Sequence, residues 1–226
     1  MSRGEVVLMS NVETMCEILR RDLEEINGIL SEKDRVREEI IKLSRNVTRL
    51  SSLVVNYVHR EKFEEAKSEL TALREHVRKL LDLVKDHEDL KYSGIIYNSL
   101  SEYVEASLFY SVVVEHRFLT LHELDTLIVP YLQGLGDLVG ELRRLVLRLL
   151  DQLRVEEAEK YLKIMEAIYE GIKVLNYPDP LIPGVRHKVD VAARLIEDTR
   201  VLILNTKNSL RCYQRNTARY SSEIQS

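Results

Sequence analysis

Glycine and proline are scarce in this chain, 8 and 4 of 226 residues, against averages of roughly 7% and 5%. A fold of short strands joined by tight turns needs many of both, so a β-rich architecture is not expected. Only two cysteines are present, Cys16 and Cys212. They make no disulfide framework or zinc pattern and read as free thiols. No run of about 18 residues lacks charge, so no transmembrane helix is expected. The N-terminal MSRGEVVLMSNVETM has no apolar signal-peptide core, and a cytoplasmic protein without membrane contacts is the expectation. A strong excess of one charge is missing too: 33 basic residues face 37 acidic ones, for a net charge of −4. A protein that coats duplex DNA is usually more basic, although a local basic stripe is compatible with this balance. With 45% apolar residues and so small a net charge, the chain is not a disordered one.

What the chain has is long uninterrupted helical pattern. Neither glycine nor proline occurs between Gly28 and Gly94, or after Gly184. Apolar residues recur there with a 3.6-residue period, which predicts an all-α fold. Helices are predicted near 5–28, 32–59, 61–86, 91–117, 130–153, 155–173 and from 185 to 210 or beyond. Ser31 with Asp34 resembles a capping box opening the second of these, and Thr120 with Glu123 caps a short segment. Pro130 suits a first helical turn. NYPDPLIPG, residues 176–184, holds three of the four prolines and reads as a sharp ordered turn. At ~150 residues per domain, one helical domain spanning 1–226 is the simplest organisation, with residues after about 205 as a helical extension or tail.

Two helices carry paired acids. One has Glu102 and Glu105 in SEYVEASLF. The other has Asp137 and Glu141 in YLQGLGDLVGELRR. Residues three or four apart share a helix face, so each pair can aim two carboxylates at one point. Oxygen-only donors favour Mg²⁺ or Mn²⁺ over Zn²⁺, and such a metal can activate water and stabilise charge on a phosphodiester. By spacing alone the plainer reading is a solvated ladder of ion pairs with Arg144 and Arg148. A di-iron carboxylate bundle is argued against, because no histidine here follows a glutamate by three residues. Gly134, Gly136 and Gly140 lie inside helical pattern without a preceding strand, so they form no phosphate loop. Close helix packing is their expected role, since each costs ~1 kcal/mol against alanine.

The same segments resemble the translin superfamily, and its factor X branch more than translin itself. EYVEA at 102–106, YLQGLGDLVGELRR at 131–144, EIIKLSRNVTR at 39–49 and IPGVRHKVDVAARLIED at 182–198 recur in the family order, across roughly residues 30–205. The resemblance implies an all-α subunit of about seven helices, built into a hollow homo-oligomer, an octamer, that binds single-stranded RNA and also single-stranded DNA. It implies a Mg²⁺- or Mn²⁺-dependent endoribonuclease whose catalytic acids match Glu102, Glu105 and Asp137, with Glu141 as a fourth metal-site residue. Arg143 replaces an apolar residue of the family pattern, and the tail beyond about 205 follows no family pattern. The competing reading is a non-catalytic single-strand-binding protein of the translin type.

Basic residues offer candidate nucleic-acid contacts, against the plainer reading of solvated helix faces and a basic helix end. Lys42, Arg45 and Arg49 share one face, with no acid between residues 40 and 60 and with His59 and Arg60 following. Such a face gives affinity through phosphates without sequence preference. Arg144 and Arg148 lie beside Glu141, where Arg144 either meets a phosphate or pairs with that acid. Arg186 and Lys188 open the last helix, where the dipole is unfavourable for cations. Lys207, Arg211, Arg215 and Arg219, spaced by four with Tyr213 and Tyr220 nearby, form a further stripe if that helix continues. His116 and His122 flank the Thr120 turn and read as structural or solvated.

Overall fold

A computed structural model describes the backbone of residues 3–224 and the side chains of residues 12–215. Among the described residues it contains helices and no strand. The elements are α1 (Arg3–His59), α2 (Phe63–Val84), a single turn α3 (Glu88–Lys91), α4 (Gly94–Tyr110), a single turn α5 (Leu121–Leu124), α6 (Ile128–Asp151), α7 (Val155–Lys173) and α8 (Val185–Ile224). No described helix is long and apolar enough to cross a membrane.

α4 and α6 form the centre. α1 and α2 pack as a hairpin with α4 against α1, α6 lies on α4, and α7 and α8 cover α6. α2 buries Ala66, Leu70, Leu73, Val77, Leu80 and Val84, a strict three-four repeat that aims one stripe at the core. α4 is buried on most of its circumference and α6 on a broad face. Glu102, Glu105, Asp137 and Glu141 lie at their half-buried edges.

Several helix boundaries differ from the sequence expectation. The break expected between residues 28 and 32 does not occur, and α1 runs unbroken for 57 residues. Gly28 has open space where a Cβ would be, so nothing packs there to bend the chain, and Ser31 is an interior residue. α1 joins the core only from Val36 onward. Before it, Val12, Met15, Leu19, Leu23, Ile26 and Leu30 form a stripe about half exposed or more, Met15 reaching 65%. The helix expected at 91–117 is divided: Ser93 is extended, α4 begins at Gly94, and its last turn widens into a π-helical segment at Ser111–Glu115 that ends in left-handed His116. α8 continues to Ile224. The side chains of Arg219 and Tyr220, the end of the proposed tail stripe, lie outside the described residues.

The capping box at Thr120 forms as expected. The Glu123 amide donates to Thr120 Oγ1 at 3.2 Å and the Thr120 amide donates to Glu123 Oε2 at 2.8 Å. The proline turn also forms. Gln133 Nε2 donates to the Pro183 carbonyl at 2.7 Å, Gly184 turns the chain with φ +72°, and Val185 is buried at the start of α8. That sequence of contacts fixes the first turn of α8 against the Asp137 turn of α6.

Candidate metal centre

α4 contributes Glu102 and Glu105 and α6 contributes Asp137 and Glu141, all half-buried. The two helices cross closely because of Gly134. A Cβ there would sit 2.6 Å from the Val104 Cβ and 2.8 Å from the Ser101 carbonyl oxygen. Gly136 plays the same part toward α8, where a Cβ would lie 2.6 Å from the Lys188 Cβ. The packing role expected of the glycines therefore holds at Gly134 and Gly136. Gly140 meets nothing within 4 Å and has no such role.

Two side chains from distant parts of the chain, a lysine and a histidine, complete the cluster. Lys188, one turn into α8, donates to Asp137 Oδ1 in a short ion pair. His59, the last residue of α1, has Nε2 2.5 Å from Glu141 Oε2, and its ring lies 4.7 Å from that of Phe109. Arg144 Nη1 donates to the same Glu141 oxygen at 3.5 Å, so pairing with Glu141 is the alternative Arg144 adopts here. The sequence singled out Lys188 only as a phosphate contact, and His59 only as a neighbour of the α1 stripe. The signal for His59 was its position: with Arg45, Arg49 and Asn56 it follows one face of α1.

Glu102 and Glu105 feel the charges of the neighbouring acids. Burial pushes the Glu105 carboxyl up to about 8, with the negative charges of Asp137, Glu102 and Glu141 adding to the rise and Lys188 opposing it. Burial likewise raises Glu102, with Asp137 and Glu141 adding and Lys188 subtracting. At Glu141, burial is the largest influence and acts upward. The His59 hydrogen bond and the charges of His59 and Arg144 together outweigh it and hold this carboxyl below its usual value. Two acids are thus pushed toward protonation while a third is kept ionised by its partners.

This donor set suits a hard divalent cation in kind. It offers oxygen ligands only, from two adjacent helices, with an ammonium already drawn in among them. Among the described residues, no three His, Cys, Asp or Glu side chains converge on a ligating point. Asp137 is turned to Lys188, and Glu141 is turned to His59.

A groove of about 540 Å³ between α1 and α4 is lined by Arg45, Thr48, Arg49, Ile95, Asn98 and Ser99. Asn98 is one turn before Glu102 on the same face of α4. Lys42, Arg45 and Arg49 are exposed, and none has an ion-pair partner among the described residues. Arg186 is exposed at the start of α8. Arg148 is more enclosed, with its side chain 29% exposed and 3.9 Å from Glu61. Of the tail stripe, Lys207 is held by Glu159.

The model of the translin family matches residues 35–198. The chain belongs to the translin family. All four acids, His59 and Lys188 fall inside the matched span, as do Lys42, Arg45 and Arg49. An uncharacterized protein of Methanocaldococcus jannaschii is 32% identical over 182 residues, 78% of this translin-family chain and 80% of that relative. The crystal structure of AfC3PO is similar at 31% identity and a TM-score of 0.77, over 83% of this chain and 97% of that one. AfC3PO is also solved in complex with duplex RNA, with the same coverage and TM-score. Apo-NeC3PO, at 22% identity and a TM-score of 0.74 over 81% and 96% of the two chains, shares the fold.

Proposed function

We propose that this translin-family chain is a divalent-metal-dependent endoribonuclease of the factor X type, working within a hollow homo-oligomer. The observation that carries this reading is the placement of four half-buried carboxylates on the adjacent helices α4 and α6, where burial first and the neighbouring negative charges second push Glu105 up to about 8. Gly134 lets the two acid-bearing helices approach, and Gly136 admits the Lys188 stem beside Asp137, a packing that a purely solvated acid face does not require.

Glu102, Glu105 and Asp137, with Glu141, would hold the metal. Mg²⁺ or Mn²⁺ bound there supplies charge stabilisation at a phosphodiester and an activated water. Arg45 and Arg49, aided by Lys42, take successive phosphates along the groove that leads past Asn98 to the acids. His59 orients Glu141 through its hydrogen bond, and Phe109 packs against the imidazole. Arg144 pairs with Glu141 and has 62% of its side chain exposed; it would exchange that pairing for a substrate phosphate, and Arg186 would offer a further charge at the start of α8. The exposed apolar stripe of α1 supports association with further copies, because eight large apolar side chains between Val12 and Leu30 are exposed among the described residues.

The similarity to AfC3PO, solved with duplex RNA, supports RNA as the ligand class and calls for both strand forms in the test. Purified protein is incubated with end-labelled single-stranded and duplex RNA, with Mg²⁺ or with EDTA, beside the Asp137→Asn variant. Cleavage that requires both Mg²⁺ and Asp137 establishes the nuclease. Binding of RNA or single-stranded DNA without cleavage by the wild type leaves a binding shell and sinks the catalytic reading.

A further inference from the structure

Lys188 brings a positive charge from α8 to the acid-bearing face of α6. Its ammonium pairs with Asp137, and its charge opposes the rise of both Glu102 and Glu105. It therefore contacts Asp137 and acts on Glu102 and Glu105 through its charge. Its place is built rather than incidental. Gln133 holds the Pro183 carbonyl, Gly184 turns the chain, and α8 begins beside the Asp137 turn. Gly136, the residue before Asp137, leaves out the one Cβ that would collide with the lysine stem. A glycine inside a helix is less favourable than alanine, and here it admits a lysine side chain. The arrangement also explains why the acids do not converge: Asp137 is engaged by the ammonium.

We propose that Lys188 is the resident counter-cation of the carboxylate cluster, and that a divalent cation binds by displacing its ammonium from Asp137. Both cations satisfy the same demand, the neutralisation of half-buried carboxylates, and they exclude each other from the same oxygens. Occupied by lysine, the cluster is compact and paired without metal. Occupied by metal, it frees a flexible ammonium on a four-carbon stem beside the site, where the next available anion is a substrate phosphate. Lys188 is thus a positioning residue that sets how strongly the site takes metal. This inference rests on the metal-site reading given above.

The test measures Mn²⁺ binding by isothermal titration calorimetry and by the electron paramagnetic resonance signal of free Mn²⁺, with no RNA present. Lys188→Met removes the competing charge and keeps an unbranched stem, and it should bind Mn²⁺ at least ~5-fold more tightly than wild type, the lower end of typical coupling between two ligands. Gly136→Ala keeps the ammonium in the molecule but pushes its stem away, and should shift affinity in the same direction. Arg194→Met removes one exposed charge from the same helix and should leave affinity unchanged. If wild type binds Mn²⁺ and Lys188→Met binds it equally or more weakly, displacement is overturned while the metal site survives. If neither protein binds Mn²⁺, the metal site and the displacement both fall.

Discussion

His59 and Glu141 are 82 residues apart in the chain and meet with Nε2 2.5 Å from Oε2. This contact ties the end of the first helix to the central acid-bearing helix. It also separates Glu141 from the other acids, since it is the one held below its usual value. Replacing His59 with Leu should raise the Glu141 carboxyl and weaken Mn²⁺ binding. Titrating metal into the variant and the wild type at pH 6 checks this, and equal affinities at that pH would remove His59 from the site.

Glu105 gives the fold a pH dependence of opposite sense to that of Glu141. In the unfolded chain a glutamate titrates near 4.5, and in the folded chain Glu105 titrates at about 8. Between those values the folded state holds a proton that the unfolded state has released. The stability from Glu105 is therefore complete at low pH and is lost as pH rises through that window. The Glu141 contribution is present at high pH and is lost as pH falls through its lowered value. In EDTA, thermal midpoints should decline from pH 5 to pH 8, and Glu105→Gln should flatten the decline. Added Mg²⁺ should restore the wild type at pH 8 and have little effect on the variant.

The two glycines on α6 that differ in surroundings should respond oppositely to alanine. At Gly134 the added methyl would sit 2.6 Å from Val104, and overpacking of this kind costs about 1–3 kcal/mol. At Gly140 it meets open space, so only the helix-propensity gain of about 1 kcal/mol remains. Urea midpoints should fall for Gly134→Ala and rise for Gly140→Ala, with unchanged slopes.

The groove between α1 and α4 should be read as a phosphate track by salt dependence. Replacing Arg45 and Arg49 with Ser removes two phosphate contacts. The slope of log affinity against log salt for single-stranded RNA should become shallower by about 1.4, at ~0.7 per phosphate. Fluorescence anisotropy across a salt series reads this directly. An unchanged slope would mean that RNA approaches by another face.

The exposed stripe of α1 predicts association. Leu19 and Leu23 are 59% and 55% exposed, so Leu19→Glu with Leu23→Glu should not disturb the folded subunit. The double variant should sediment as a smaller species than wild type while its helical circular dichroism is retained.

The sequence revealed the helices wherever one apolar stripe met one buried face. α2 and α7 are of this kind, and the end of α7 at Lys173 falls where it was expected. The capping box of Thr120 was equally legible, because both its partners lie within four residues. The unbroken α1 was not, since Gly28 and Ser31 look like punctuation until it is known that nothing packs against them. The four acids were found by local spacing and by family resemblance together. Their partners were not, because Lys188 reaches Asp137 across 51 residues and His59 reaches Glu141 across 82. Pairings over such separations depend on where Gly134 and Gly136 let the helices approach, and no periodicity encodes that.

The continuity of α1 couples angular phase to function. At 3.6 residues per turn, each residue rotates the helix by about 100°. The half that carries the apolar stripe and the half that carries Arg45, Arg49 and His59 are therefore geared to one another along a single rod. Inserting one residue after Ser31 would swing the association face by about a quarter turn relative to the acid cluster, ahead of the first core residue, Val36. Inserting seven would move it outward by about 10 Å at 1.5 Å per residue and return it nearly to its original bearing. The direction in which each site faces within an assembly is thus written in the residue count between Leu30 and Val36, a stretch that touches neither.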